Sequence, residues 1–260
     1  MSKVIKGRAL IIAMTEFKRT SGGTGEVLDP RKGAKSDTRR LFKILTRLGY
    51  KVSLHLDISV TEIRELYKKE SEKPQGDCFI SVLSSHGQEG IIYDFHGNQI
   101  RLSDIYNMLS PSNCPALAGI PKLFFIQACR GSELDEGVAL ETDSGPGDTE
   151  GLSHILSIPN DTVVMFATTE GYVAFQNPAG SIFLQTLCDL LEGEEKNLTL
   201  NQILTRLGGL VAYEFQSKGQ YAGYKEMPCF VTNLTYEMYP FRQGEKPSSP
   251  MKRSTCPVYL

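Results

Sequence analysis

The sequence predicts an α/β domain in which helices cover both faces of a central, mostly parallel sheet of six strands, a three-layer sandwich. Three observations carry that prediction. Short apolar runs recur along the chain, each bounded by Gly, Pro, Asn or Asp. Several are apolar at successive positions, as a strand buried between two helix layers must be. Helical patterns separate them, and that alternation favours parallel strands joined by crossover helices. At 260 residues, 40% hydrophobic and 22% charged, the chain is long enough for one large domain of this kind or two small ones.

A short polar lead precedes the first strand, Ala9–Thr15. Leu41, Ile44, Leu45 and Leu48 then follow the i, i+3, i+4, i+7 spacing of a one-sided helix, which Gly49 stops. The second strand is Lys51–Leu56. Ser59 and Glu62 form a capping box, in which hydroxyl and carboxylate serve amides that a helix start leaves open. That helix runs to about Ser71. Cys78–Ser84 is the third strand, and Ser103 caps a short helix through Leu109. Lys122–Gln127 and Thr162–Ala167 are the fourth and fifth strands. Ser181–Leu191 is an apolar-rich helix. Thr199 and Gln202 open another, with Leu200, Ile203, Leu204, Leu207 and Val211 on one face. Cys229–Asn233 closes the sheet.

Two stretches stand apart. Gly131–Glu150 holds seven acidic residues, no Lys or Arg and a Ser-Gly-Pro-Gly turn, the composition of a solvated loop. Arg242–Leu260, with three prolines, three serines and a net charge of +3, reads as a disordered tail, so 242–260 is set apart from the folded domain.

Composition excludes several function classes. A formal net charge of −2 gives no reason to expect a nucleic acid or an anionic membrane as partner. No run approaches the ~20 apolar residues of a membrane span, and Ala9–Met14 is too short for a signal peptide. The six cysteines, Cys78, Cys114, Cys129, Cys188, Cys229 and Cys256, show no CxxC pair and no metal-ligand spacing. Reduced thiols, a cytoplasmic location and chemistry without metal or cofactor are therefore expected, and the sequons at Asn197 and Asn233 are chance matches.

Two strands end in residues that carry chemistry. One stops at Ser85-His86-Gly87, the other at Gln127-Ala128-Cys129-Arg130-Gly131. Reactive groups of a parallel sheet gather where the strands' carboxyl ends meet the loops, so His86 and Cys129 can sit together although 43 positions apart. A thiol needs an adjacent imidazole to become a ready nucleophile and to protonate a leaving amine. The flanking glycines leave backbone open to substrate, with the amides of Gly87 and Cys129 as candidate oxyanion donors. Singly, such a Cys is more often a small buried hydrophobe and such a His a turn residue. The pentapeptide with its upstream His shifts that balance.

From these residues outward, the chain resembles the caspases, of the short-prodomain type, over roughly 6–241. Ser84–Gly90 is similar to the family's Ser-His-Gly-x-Glu-Gly motif, Lys122–Gly131 to its cysteine strand, and Thr168–Asp189 to its substrate loop and the helix that follows. The resemblance implies a caspase-like fold, Cys129 as nucleophile, His86 as general acid and base, and Gly87 with Cys129 as oxyanion amides. It implies cleavage after Asp, whose carboxylate two arginines and a glutamine would hold. Arg31 and Gln127 match two of these three. The third position departs: Val173-Ala174-Phe175-Gln176-Asn177 carries Gln176 where the family has Arg, and Phe175 in place of its Trp, which makes the neighbouring pocket roomier. Phe175, Gln176 and Asn177 are the substrate contacts the resemblance implies here. A neutral amide in place of a guanidinium costs about 1.5–3 kcal/mol of carboxylate binding.

The resemblance further implies processing between Asp143 and Ser144, giving a large subunit of 1–143 and a small one of 144–241. It implies protein or peptide substrates, an upstream activating protease, and a homodimer of such pairs formed through the last strand. The rival expectation is a weakly active or inactive homologue that regulates other caspases by dimerisation.

Overall fold

The computed structural model describes residues 6–18, 25–73, 76–135, 158–218 and 222–243. The candidate processing pair Asp143 and Ser144, Cys256 and nearly all of the 242–260 stretch lie outside them. In chain order the elements are β1 (Gly7–Ala13), α1 (Ala34–Arg47), β2 (Tyr50–Leu56), α2 (Val60–Ser71), β3 (Cys78–Ser84), β4 (Gly87–Gln88), β5 (Ile91–Tyr93), β6 (Gln99–Arg101) and α3 (Leu102–Met108). They continue with β7 (Lys122–Gln127), β8 (Thr162–Phe166), β9 (Gln176–Asn177), β10 (Gly180–Ser181), α4 (Ile182–Glu192), α5 (Leu200–Glu214) and β11 (Cys229–Thr232).

The main sheet has six strands in the order β11-β8-β7-β3-β1-β2. All neighbours are parallel except β11, which runs antiparallel to β8 at the edge. Strand residues alternate between two cores, as the two-residue period of a pleated strand requires. Ala9, Ile11, Ile80, Val82, Leu123, Phe125, Val163 and Met165 pack with α1, α4 and α5. Leu10, Ile12, Phe79, Leu83, Phe124, Ile126, Val164 and Phe166 pack with α2 and α3. These two cores make the three layers that the apolar runs predict. Among the described residues, no helix is long and apolar enough to cross a membrane.

Helix starts follow the sequence with one exception. Both capping boxes form, Ser59 with Glu62 and Thr199 with Gln202. Gly49, just past α1, adopts φ 95°, a left-handed conformation that costs glycine nothing. Ser103, however, does not cap α3. Arg101 takes that position without a side-chain hydrogen bond, and Ser103 lies inside the first turn. The first strand also ends earlier than its apolar run. The Met14 amide still reaches Ser84 O at 2.8 Å, but Asp57 takes the Thr15 amide at 2.6 Å and the Thr15 hydroxyl at 2.7 Å, so the chain leaves the ladder there. The small sheet β4-β5-β6 and the β9-β10 hairpin have no counterpart in the sequence reading. Strands of two or three residues are too short to display a period.

Candidate active site

Three parallel strands deliver the site. β1, β3 and β7 are neighbours, with Ala13 opposite Ser84 and Ser84 opposite Gln127, so all three end at one level. The loop after β1 carries Arg31, whose amide donates to Thr15 O at 2.9 Å. The loop after β3 carries His86, and the loop after β7 carries Cys129. Together with Gln127, Gln176 and Asn177 they line one cavity of about 340 Å³.

The close approach of the two loops depends on Gly87. A Cβ at this position would lie 2.9 Å from Ala128 Cβ and 3.0 Å from Cys129 O, so any side chain would push the histidine loop away from the cysteine loop. His86 packs against Phe17, ring centroids 5.0 Å apart, and its Nε2 is 2.8 Å from the Asp29 carbonyl. A carbonyl can only accept, so Nε2 carries the proton, and Nδ1 is the basic nitrogen of the neutral ring. Burial holds His86 below its ordinary value of 6.5. Cys129 is partly buried. Its sulfur accepts the Ala174 N–H at 3.4 Å and lies 3.9 Å from Ala174 O. Burial raises the thiol above its ordinary 9.0, against the pull of the Ala174 amide and the Arg31 charge. Both shifts favour the uncharged thiol–imidazole pair over thiolate and imidazolium.

The other end of the cavity is cationic. Arg31 is only 6% exposed, and its Nη1 donates to Met14 O at 3.1 Å and Ser84 Oγ at 3.0 Å. Burial brings the guanidinium down to about 10, still a cation at neutral pH. Beside it, Gln127 Oε1 and Gln176 Nε2 are buried without hydrogen-bond partners. Of the other two residues expected in the pocket, Asn177 lines it but spends its Oδ1 on the Ala179 and Gly180 amides of the hairpin turn. Phe175 packs against Phe215, ring centroids 5.4 Å apart, and does not line the cavity.

Four supporting residues escaped the sequence reading. Asp29 acts through its carbonyl, which has no sequence signature. Glu89 receives Arg130 Nη2 at 2.7 Å and so ties the histidine motif to the cysteine motif. Asp37 accepts the Ser181 amide and hydroxyl, each at 2.9 Å, and fastens β10 to α1. Glu226, fully buried, accepts the Phe175 amide. Glu89 and Arg130 both stand in motifs already singled out, so their pairing was within reach. Glu226 reads in sequence as an ordinary surface charge. No group of three or more His, Cys, Asp or Glu side chains among the described residues is placed to hold a metal ion.

A cysteine and a histidine at adjacent strand ends, over a cavity with a buried guanidinium, are the arrangement of a thiol peptidase. The sequence model of the Caspase domain matches residues 6–239, and the chain belongs to the caspase family of cysteine peptidases. It is 35% identical over 244 residues to Caspase-7 of Gallus gallus, covering 90% of this chain and 76% of that protein. It is 36% identical over 239 residues to Caspase-3 of Mesocricetus auratus, covering 90% of this chain and 83% of that protein. Among solved structures, that of Caspase-1 from Spodoptera frugiperda superposes with a TM-score of 0.78 at 28% identity, covering 93% of this chain and 94% of that one.

Proposed function

We propose that this chain is an endopeptidase that hydrolyses peptide bonds after Asp through a thioester on Cys129, with His86 as general acid and base. The observation that carries this reading is the shared cavity, which sulfur, imidazole and one buried guanidinium all line. The thiol proton passes to the neutral imidazole as sulfur attacks the scissile carbonyl carbon. The oxyanion rests on the Gly87 and Cys129 amides. The imidazolium then protonates the leaving amine, the C–N bond breaks, and a thioester remains. Water, deprotonated by His86, hydrolyses the thioester, and the thiol recovers its proton. Because both groups are shifted toward neutrality, the imidazole deprotonates the thiol during attack instead of meeting a preformed thiolate.

The Asp side chain of the substrate meets one charge, Arg31, and the neutral amides of Gln127 and Gln176. The unpartnered Gln176 Nε2 is a donor ready for that carboxylate. With one guanidinium instead of two, Asp selectivity is weaker by about 10- to 100-fold. Processing by an upstream protease between Asp143 and Ser144 divides the chain into its large and small subunits, 1–143 and 144–241. The open backbone of β11, half-exposed at the sheet edge, suits pairing with a second copy.

A second reading, an inactive homologue that regulates other caspases by dimerisation, is favoured by Gln176, a neutral amide where the family carries a guanidinium. Profiling the processed protein and Cys129→Ala against a peptide library tests both. Cleavage after Asp that the variant lacks supports the peptidase. Absence of turnover by a folded, dimeric wild-type protein supports the regulator.

A further inference from the structure

Glu226 lies three residues before β11, and its side chain is wholly buried. One oxygen, Oε2, accepts the Phe175 amide at 2.5 Å, and the other, Oε1, is buried with no hydrogen-bond partner. Phe175 stands between two residues that meet the site. On one side is Ala174, whose amide donates to the Cys129 sulfur at 3.4 Å. On the other is Gln176, which begins β9 and lines the cavity. The strand that carries them is fixed before Ala174 by the Val173 amide on Glu133 O at 3.0 Å, and after Phe175 by the pairing of β9 with β10. Between those anchors, Glu226 holds the chain from beneath.

We propose that Glu226 is a positioning residue for the substrate-binding strand: its carboxyl holds the Phe175 amide and thereby sets Ala174 against the Cys129 sulfur and Gln176 in the cavity. The proposal rests on Cys129 being the nucleophile. A carbonyl could serve one amide as well, so the choice of a carboxyl has consequences. The titratable neighbours are the Cys129 thiol and Lys225, whose Nζ is turned away to Phe215 O at 2.8 Å. Among the described residues no cation compensates the carboxyl, and burial pushes it up to about 8. At neutral pH the acid is uncharged, and it holds the strand without setting a negative charge near the sulfur. As pH rises through about 8 it ionises, the thiol becomes harder to deprotonate, and an unpaired charge strains the strand. An alkaline loss of activity is therefore expected, and it belongs to Glu226, not to Cys129.

Glu226→Gln keeps an acceptor for the Phe175 amide but stays neutral, and Glu226→Leu keeps bulk and removes the acceptor. Two measurements across pH decide the proposal: kcat/KM on an Asp peptide, and the rate of Cys129 alkylation by iodoacetamide read at that residue by mass spectrometry. Glu226→Leu should lower kcat/KM by about 10- to 100-fold at pH 6.5, through displaced substrate contacts. Glu226→Gln should rescue that loss, move the alkaline limb upward by about one unit, and lower the midpoint of Cys129 alkylation. An alkaline limb and an alkylation midpoint both unmoved in Glu226→Gln overturn the proposal, even if Glu226→Leu does not fold. Alkylation does not require turnover. A shifted midpoint in a protein that cleaves nothing would refute the peptidase reading while supporting the assignment of Glu226.

Discussion

Arg130 and Glu89 form a buried bridge between the two motifs of the site, with Nη2 2.7 Å from Oε1 and the arginine side chain only 3% exposed. The guanidinium also lies 4.2 Å over the Phe166 ring. Arg130 follows Cys129 directly and Glu89 lies three residues after His86, so the bridge fixes one loop relative to the other.

Removing the carboxylate should leave that cation buried and unpaired. Glu89→Ala is expected to lose about 3 kcal/mol of stability, the lower end of what breaking a buried pair costs, because Glu89 keeps partial exposure. Urea unfolding measures it. A loss under about 0.5 kcal/mol would mean that the pair behaves as a surface contact.

The acid side of the pH profile should report His86. Catalysis needs the neutral ring, and burial keeps the imidazole below 6.5. On this side of the profile, activity is therefore lost as pH falls through the lowered value. The midpoint of the acid limb of kcat/KM is expected below 6.5, and a midpoint at or above it contradicts the general-base role.

Gln176→Arg should strengthen the preference for Asp over Asn or Glu at the cleaved position by about 10- to 100-fold, the worth of one charge-assisted contact. The ratio of kcat/KM on matched peptides reads it. Gly33 leaves room for the native Nε2, since a Cβ there would approach it to 2.9 Å. An unchanged ratio would mean that a guanidinium at this position does not reach the substrate carboxylate.

Asp143→Ala should remain a single chain when treated with an upstream caspase that cuts the wild type, whose new amino terminus is expected at Ser144. Intact-mass measurement distinguishes the two. Equal cutting of the variant at that place removes Asp143 from the processing scheme.

Stability should also carry the mark of the buried acid. Glu226 is raised from its ordinary 4.5 to about 8. Its favourable contribution is thus complete below 4.5 and is lost as pH rises through about 8. The melting temperature of Glu226→Gln relative to wild type should therefore increase between pH 5 and pH 9. A constant difference would show that the carboxyl does not change charge in the folded protein.

Much of this architecture was legible in the chain. The central strands are apolar on both faces because both faces are buried, and Ser59-Glu62 and Thr199-Gln202 are local rules that tertiary structure had no cause to override. His86, Cys129, Arg31, Gln127 and Gln176 drew notice through their motifs, and all five line one cavity. What escaped notice depends on burial. Glu226 differs from a surface glutamate only in where the fold puts it, and Asp29 contributes a carbonyl that every residue possesses. Phe175 shows the same dependence on the fold. The motif marked it for a pocket neighbouring the cavity, and only the fold shows that its ring packs against Phe215.

The alternation of strand residues between the two cores has a consequence for how such a chain can change in length. Deleting or inserting one residue within β1, β3, β7 or β8 would carry every later side chain of that strand into the opposite core. Size, shape and partners would then be wrong along a whole row, and no local adjustment could restore them. Length is thus quantised inside the sheet and free only between its strands. Insertions and deletions among homologous chains should collect in the loops, where added residues can reshape what approaches the cavity without disturbing the register beneath it.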